Sequence, residues 1–234
     1  MKILVSAGPT REWIDDVRFL SNESSGAMGF ALAEAARDAG HDVTLVAGPT
    51  ALKDPSGMRV VRVESARDMH AACLAAFEDC DAAAMVAAVA DYRPQTRAAG
   101  KLKKDAETLE LKLVRNPDIL ADLGRIRGRR TLVGFALESS PDAEALAAAR
   151  AKLVRKGADL VVLNRPATFG GAAAHDVVLV AREEAVPLGT IEKSRLAQLL
   201  VRFLETRRLT ETQGSVHGSI FARGAGGDPG RGPS

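Results

Sequence analysis

Aromatic side chains are scarce, 4% of 234 residues with a single Trp and a single Tyr. The chain therefore offers no row of rings on which bases of a single strand could stack. Neither sign of charge is in excess: 32 Lys and Arg stand against 30 Asp and Glu, interspersed, for a net +2. That denies the electrostatic footprint of a nucleic-acid-binding protein. The nearest approach to a basic patch, Arg125, Arg127, Arg129 and Arg130, reads as a solvated loop ahead of a strand. No apolar run reaches the roughly 20 residues of a membrane-spanning helix. Residues 1–6 (MKILVS) pass directly into a strand without the pattern of a signal peptide, so a cytoplasmic location and no membrane partner are expected. Only two cysteines occur, Cys73 and Cys80, seven apart on a predicted helix and outside any C-x-x-C pattern. They read as buried, reduced thiols on one helix face. His41, His70, His175 and His217 fall at no metal-ligand spacing, so no protein zinc site is expected.

Several motifs are missing too. No G-x-G-x-x-G follows the first strand, no G-x-x-x-x-G-K-[ST] occurs, and there is no G-x-S-x-G. A standard dinucleotide fold, a P-loop and a hydrolase elbow are not indicated. An NAD(P)-dependent reductase, the competing reading for a doubly wound sheet, loses ground on the first absence.

What is present is an ordinary globular balance, 46% hydrophobic and 26% charged. Apolar strands at Lys2–Ala7, Asp42–Ala47, Arg59–Val63, Ala82–Ala88, Thr131–Leu137 and Asp159–Asn164 alternate with helices. The helices are predicted from Gly26 to Ala39, from a Ser65 cap to Glu78, from an Asn116 cap with Pro117 at the first helical position, from Asp142 to Lys156, and over Glu192–Arg208. In the first, Leu32, Ala35, Ala36 and Ala39 form the apolar face and Gly40 takes the C′ position. His175–Ala181 with Val186–Leu188 suggests a closing hairpin. The fold class is therefore α/β: a doubly wound, Rossmann-like, mostly parallel sheet flanked by helices, with a flap and a C-terminal β-hairpin. Residues 1–210 form one domain, and the Gly-rich 211–234 reads as a flexible tail.

Ligands of such sheets bind beyond the carboxyl ends of the strands, which directs attention to the loops after Ala7, Ala47 and Ala88. Gly8-Pro9-Thr10 is a turn that lets backbone approach a ligand closely, and Gly48-Pro49-Thr50 echoes it. Asp15–Gly29 (DDVRFLSNESSGAMG) is a long polar stretch ending at a helix start. There Ser24, Ser25 and Gly26 offer hydroxyls and free N–H groups to an anion, and Asn22 adds an amide. Asp91 stands at a strand end, where it could accept from a base or ribose or hold Mg²⁺ through water. Arg93–Asp105, with Lys101, Lys103 and Lys104, looks like a mobile basic flap, and Glu107–Val114 alternates like a half-exposed strand. Lys152 and Lys156, four apart, project from one helix face. Together these residues point to a nucleotide-phosphate enzyme.

These stretches, AGPTREWIDDVRFLSNESSGAMG, VTLVAGPT, AAVADYRP, KLKK, LVRNPDIL, LVGFALES and KLVRKGADLVVLN, resemble the bacterial form of phosphopantothenate–cysteine ligase, a coenzyme A biosynthesis enzyme. The resemblance implies that 4′-phosphopantothenate and L-cysteine are joined with CTP, through an acyl-cytidylate, releasing pyrophosphate and CMP, with Mg²⁺. ATP is the alternative nucleotide. It further implies that Asn22 holds the acyl-cytidylate and that the flap residue Lys101 acts at the active site. The nucleotide pocket would comprise Ala87, Asp91, Asn116, Pro117, Asp118, Ile119, Phe135, Lys152 and Lys156. Gly8, Thr10, Ser24, Ser25 and Gly26 would lie in phosphate-contacting loops. A homodimer with a shared site, and the absence of the fused flavin-dependent decarboxylase domain, are likewise implied. The chain departs from the family pattern at Ala27, where Lys is common, at Leu137-Glu138-Ser139, where Ala-Glu-Thr is usual, and across Phe169–Asp176, which lacks an acidic-Asn run.

Overall fold

Segments built almost wholly from Val, Leu, Ile and Ala have no polar face to turn to water. In the computed structural model they pair side by side as the centre of a sheet. Residues 1–103, 107–140, 142–166 and 171–209 are described. Strand β1 (Lys2–Ala7) lies between β4 (Asp42–Ala47) and β6 (Ala82–Met85). β5 (Arg59–Arg62) flanks β4, while β9 (Thr131–Leu137) and β10 (Leu160–Asn164) extend the other side. All pairings among these strands are parallel. β11 (Ala173–Val180) and β12 (Ala185–Glu192) close the sheet as an antiparallel hairpin, giving the order β12-β11-β10-β9-β6-β1-β4-β5. The doubly wound, mostly parallel sheet with a closing hairpin is thus the fold that forms. The expected tail, 211–234, lies outside the described residues, as do Lys104, Asp105, Pro141, Phe169, Gly170 and Thr210.

Successive residues of a strand face opposite sides, and the core divides accordingly. Ile3, Val5, Leu160 and Val162 pack with α1 (Ala27–Asp38) and α5 (Lys193–Thr206) on one face. Leu4, Val46, Ala83 and Leu132 meet α2 (Ala66–Phe77) and α3 (Ile119–Ile126) on the other. Val161 and Leu163 continue that second face beneath α4 (Asp142–Lys156). In α5, Leu196, Leu199, Leu200 and Phe203 are all buried, as the amphipathic pattern requires.

Local details differ from the sequence reading, each for a physical reason. α1 is capped by Gly26 in the left-handed conformation, with no side-chain capping bond, because a serine there would carry a Cβ 2.9 Å from Thr50 Cγ2. Ala33 rather than Ala39 completes its buried face. α3 starts two residues later than expected: Asp118 caps it, accepting from the Ala121 N–H at 3.0 Å. Asn116 is drawn elsewhere, its amide donating to Ala90 O at 2.8 Å. The leucine alternation of Glu107–Val114 yields strand pairing only at β8 (Leu113–Arg115), against β7 (Tyr92–Pro94). Leu109, Leu111 and Leu113 all remain exposed among the described residues. Cys73 lies in α2 but Cys80 follows its end. Both thiols are buried and free, and burial pushes Cys73 up to about 12 and Cys80 to about 11.

The echo between Gly8-Pro9-Thr10 and Gly48-Pro49-Thr50 has a spatial cause. β1 and β4 are neighbours in register, Ala7 beside Ala47, so their exit turns stack. The Gly48 N–H donates to Ala7 O at 2.9 Å. A Cβ on Gly48 would stand 1.8 Å from Pro9 O. Thr50 Cγ2 closes over both Gly8 and Gly26.

Candidate functional site

The stretch Asp15–Gly29 is not one loop. Within it β3 (Phe19–Ser21) pairs antiparallel with β2 (Arg11–Trp13), and the hairpin is pinned from inside by Asp15. That carboxylate is fully buried and accepts from the N–H groups of Val17 and Arg18 and from the Arg18 guanidinium. The guanidinium, with the backbone donors, holds its carboxyl well below the usual carboxylate range. Asp15 also accepts from the Leu102 N–H at 3.1 Å, and Arg18 donates back to Leu102 O at 3.2 Å. Asp16 accepts from Gly100 N–H and pairs with Arg97. The described part of the basic segment after Arg93 is therefore tethered to this hairpin, an arm rooted in β7 and β8 rather than a loose flap.

Beyond the carboxyl edge of the sheet are two adjoining cavities of about 370 and 360 Å³. They share one wall: Ala87, Val89, Asp91, Phe135 and Lys152 line both. The first cavity runs past Gly8, Asn22 and the start of α1, through Ser24, Ser25, Gly26 and Ala27. Asn22 is exposed there and its side-chain amide donates to Ala88 O at 2.9 Å. Because Gly26 gives no side-chain cap, the leading N–H groups of α1 are available to an anion, only loosely met by the Ser24 and Ser25 hydroxyls at 3.4 Å. The second cavity is lined by Asn116, Pro117, Asp118 and Ile119 with Lys156.

Both predicted lysines of α4 reach this edge. Lys152 Nζ donates to Phe135 O at 2.6 Å, and Lys156 forms an ion pair with Asp118. Burial lowers the pKa of each, with Asp91 pulling in the opposite direction for both. Two sequence-predicted residues do not line either cavity. Thr10 is fully buried and spends its hydroxyl accepting from the Ala90 N–H at 3.0 Å, so it braces the strand ends instead. Lys101 is exposed on the arm. The lining residues that sequence reading missed include the polar Glu23, Asn164 and Lys193 in the first cavity and Arg115 in the second. Asn164 could have been found as a polar residue ending an apolar strand on the ligand-binding edge; Lys193 carried no such signal.

Among the described residues no group of three or more His, Cys, Asp or Glu is placed to hold a metal ion, and no helix is long and apolar enough to cross a membrane. Asp91, a carboxylate on the wall between the cavities, fits a Mg²⁺ ion that takes its remaining ligands from water and phosphates, the usual pattern for that ion.

Comparison with known proteins places the chain. The model of the DNA/pantothenate metabolism flavoprotein C-terminal domain matches residues 1–207. The coenzyme A biosynthesis bifunctional protein CoaBC of Vibrio cholerae is 47% identical over 166 residues, 70% of this chain and 41% of that protein. The Mycobacterium tuberculosis protein of the same name is 44% identical over 223 residues, 87% of this chain and 52% of its own. The chain thus spans about half the length of the curated relatives it matches. Among solved structures, the C-terminal domain of a CoaBC protein superposes with a TM-score of 0.74 at 37% identity, covering 90% of this chain and 96% of that one. A Streptococcus pneumoniae DNA/pantothenate metabolism flavoprotein shares the fold at TM-score 0.78 and 24% identity, covering 89% of this chain and all of its own. The chain belongs to the DNA/pantothenate metabolism flavoprotein C-terminal domain family.

Proposed function

We propose that this protein is the ligase that joins 4′-phosphopantothenate to L-cysteine at the expense of CTP. One observation carries the reading: two cavities, each the size of a small polar ligand, meet at a wall bearing Asp91 and a partly buried ammonium, Lys152. Two anionic substrates can there be brought into contact, the general means by which a site lowers the entropic barrier to a bimolecular step. The first cavity suits phosphopantothenate, and the second suits the nucleotide, with the backbone of Asn116–Ile119 facing its base. The coenzyme A biosynthesis role named for the relatives supports the same assignment.

The chemistry proceeds in two displacements. A carboxylate oxygen of phosphopantothenate attacks the α-phosphorus of CTP, the bond to the β-phosphate oxygen breaks, and pyrophosphate leaves. The cysteine amine then attacks the acyl carbon, CMP leaves with the electron pair of the acyl–oxygen bond, and the amine loses a proton. Mg²⁺ bound with the nucleotide would neutralise charge on the leaving pyrophosphate. Asp91 orients the nucleotide from the shared wall, Lys152 faces the charge that grows around the α-phosphorus, and Asn22 binds the acyl-cytidylate through its amide. The decisive assay is pyrophosphate release before cysteine is added. It is expected with CTP plus phosphopantothenate; a higher rate with ATP would reassign the nucleotide, and no release with either would reject the ligase.

Lys101 lines neither cavity of its own chain; in this reading it serves the site from the arm of a second copy, as a homodimer with shared sites would allow. Asn22→Asp, which puts a negative charge beside the anhydride, and Lys101→Gln are each expected to cut turnover by about a hundredfold. If the sites are shared, mixing the two inactive variants under conditions of subunit exchange restores a substantial fraction of activity, because one site then holds both native residues. Activity that stays at the level of the parents removes Lys101 from the partner's site.

A further inference from the structure

The wall between the two cavities lies where regular pairing stops. β6 leaves the ladder after Met85, which stands beside Ser6, and meets the β1 side again only at a bridge between Pro9 and Ala88. From there on Ala87, Val89 and Asp91 line both cavities, with Val86 and Ala88 in the first and Ala90 in the second. Three of these six residues are alanine, so the path of the backbone decides where that surface lies.

An N–H that leaves a ladder without reaching water needs another acceptor. Here the acceptors come from alternate residues of one segment. Ser6 Oγ accepts from the Val86 N–H at 3.1 Å and from the Ala87 N–H at 3.2 Å. Gly8 O accepts from the Ala88 N–H at 2.9 Å, and Thr10 Oγ1 from the Ala90 N–H at 3.0 Å. Ser6 is the member of this series that serves two donors, and it does so from inside. It is 2% exposed, shares the strand face of Leu4 toward α2 and α3, and borders the second cavity. With both lone pairs engaged, its hydroxyl ties the first two residues of the wall to the centre of the sheet.

We propose that Ser6 is a positioning residue of the ligation site: through the Val86 and Ala87 N–H groups it sets the path of the wall at which the two substrates meet. The substrates named here rest on the ligase reading. A wall common to two ligands passes one displacement to both, and a misplacement of about 1 Å can cost a hundredfold in rate.

The test compares Ser6→Ala, which removes the acceptor, with Ser6→Thr, which keeps the hydroxyl on a side chain suited to a strand. In the Ala variant kcat/KM for CTP and for phosphopantothenate, read as pyrophosphate release, should fall together by about ten- to a hundredfold. Exchange of the Val86 and Ala87 amide hydrogens should quicken about tenfold or more. The Thr variant should stay within about threefold of the parent in both readouts. If Ser6→Ala fails to fold, Ser6→Cys replaces it, with sulfur as a weaker acceptor and the same direction expected. Faster exchange with kcat and both KM values unchanged would overturn the proposal and leave Ser6 a brace of the fold alone. A KM rise for one substrate only would overturn it in favour of a direct contact from the Ser6 O–H. A Thr variant as slow as the Ala variant would overturn it as well, since the hydroxyl would not be the operative group. If the parent releases no pyrophosphate with any nucleotide, the ligase reading fails separately. Calorimetric titration with CTP alone then still decides Ser6: weaker binding together with faster exchange in the Ala variant supports the positioned wall, and equal binding removes it.

Discussion

Lys152→Met is expected to lower the rate of pyrophosphate formation by about a hundred- to a thousandfold, roughly 3 to 4 kcal/mol of transition-state stabilisation, while the protein stays folded. Met keeps the unbranched stem that packs between α4 and β9 and removes only the ammonium. That ammonium is held by Phe135 O at 2.6 Å and faces both cavities, so it needs no rearrangement when charge builds at the α-phosphorus. Burial has already drawn its pKa down, which marks a surrounding where each charge interaction counts for more than in water. The loss should fall on kcat more than on KM, since the interaction strengthens as charge develops. Rates within about threefold of the parent, with an unchanged melting temperature, would take Lys152 out of the chemistry.

Gly48→Ala is expected to destabilise the fold by more than about 3 kcal/mol, read as a drop in urea midpoint at constant slope. The new Cβ would overlap Pro9 O, at 1.8 Å, and that oxygen is backbone in a turn stacked on its neighbour. It cannot rotate aside as a side-chain tip would. Gly40→Ala supplies the comparison. Its φ is 85° but a Cβ there meets nothing within 4 Å, so only the left-handed penalty of about 1 to 2 kcal/mol is due. If the two variants melt alike, close stacking of the strand-exit turns is not what holds the Gly8 and Gly26 loops in place.

The strands were readable in sequence because buried parallel strands are continuous apolar runs, and their order of appearance marked which loops would share an edge. Where two residues compete for one local role, sequence alone has no referee. Asn116 and Asp118 are both good caps around Pro117, and the choice was made by Ala90, which is distant in sequence and takes the Asn116 amide. The leucines at 109, 111 and 113 have the period of a strand, but a period says nothing about whether a partner strand exists. Thr10 lay in the right turn yet faces inward, a matter of side-chain direction that a motif does not encode. Lys193 shows the deepest gap. In a row of residues it is one more lysine opening an amphipathic helix. It reaches the cavity because the closing hairpin delivers the start of α5 to the ligand-binding edge, and that follows from topology alone.

The poverty in aromatics has a practical use. The single indole, Trp13, lies in β2 with Phe19 edge-on at 5.1 Å and the Arg97 guanidinium 5.2 Å from its ring centre. Arg97 belongs to the arm and Phe19 to the hairpin that Asp15 fastens to it. Intrinsic fluorescence of this protein is therefore a one-site optical gauge of how the arm sits on the hairpin. A nucleotide or acyl intermediate that shifts the arm will quench or unveil that emission, whereas one that merely fills the cavities will leave the spectrum dark to its arrival.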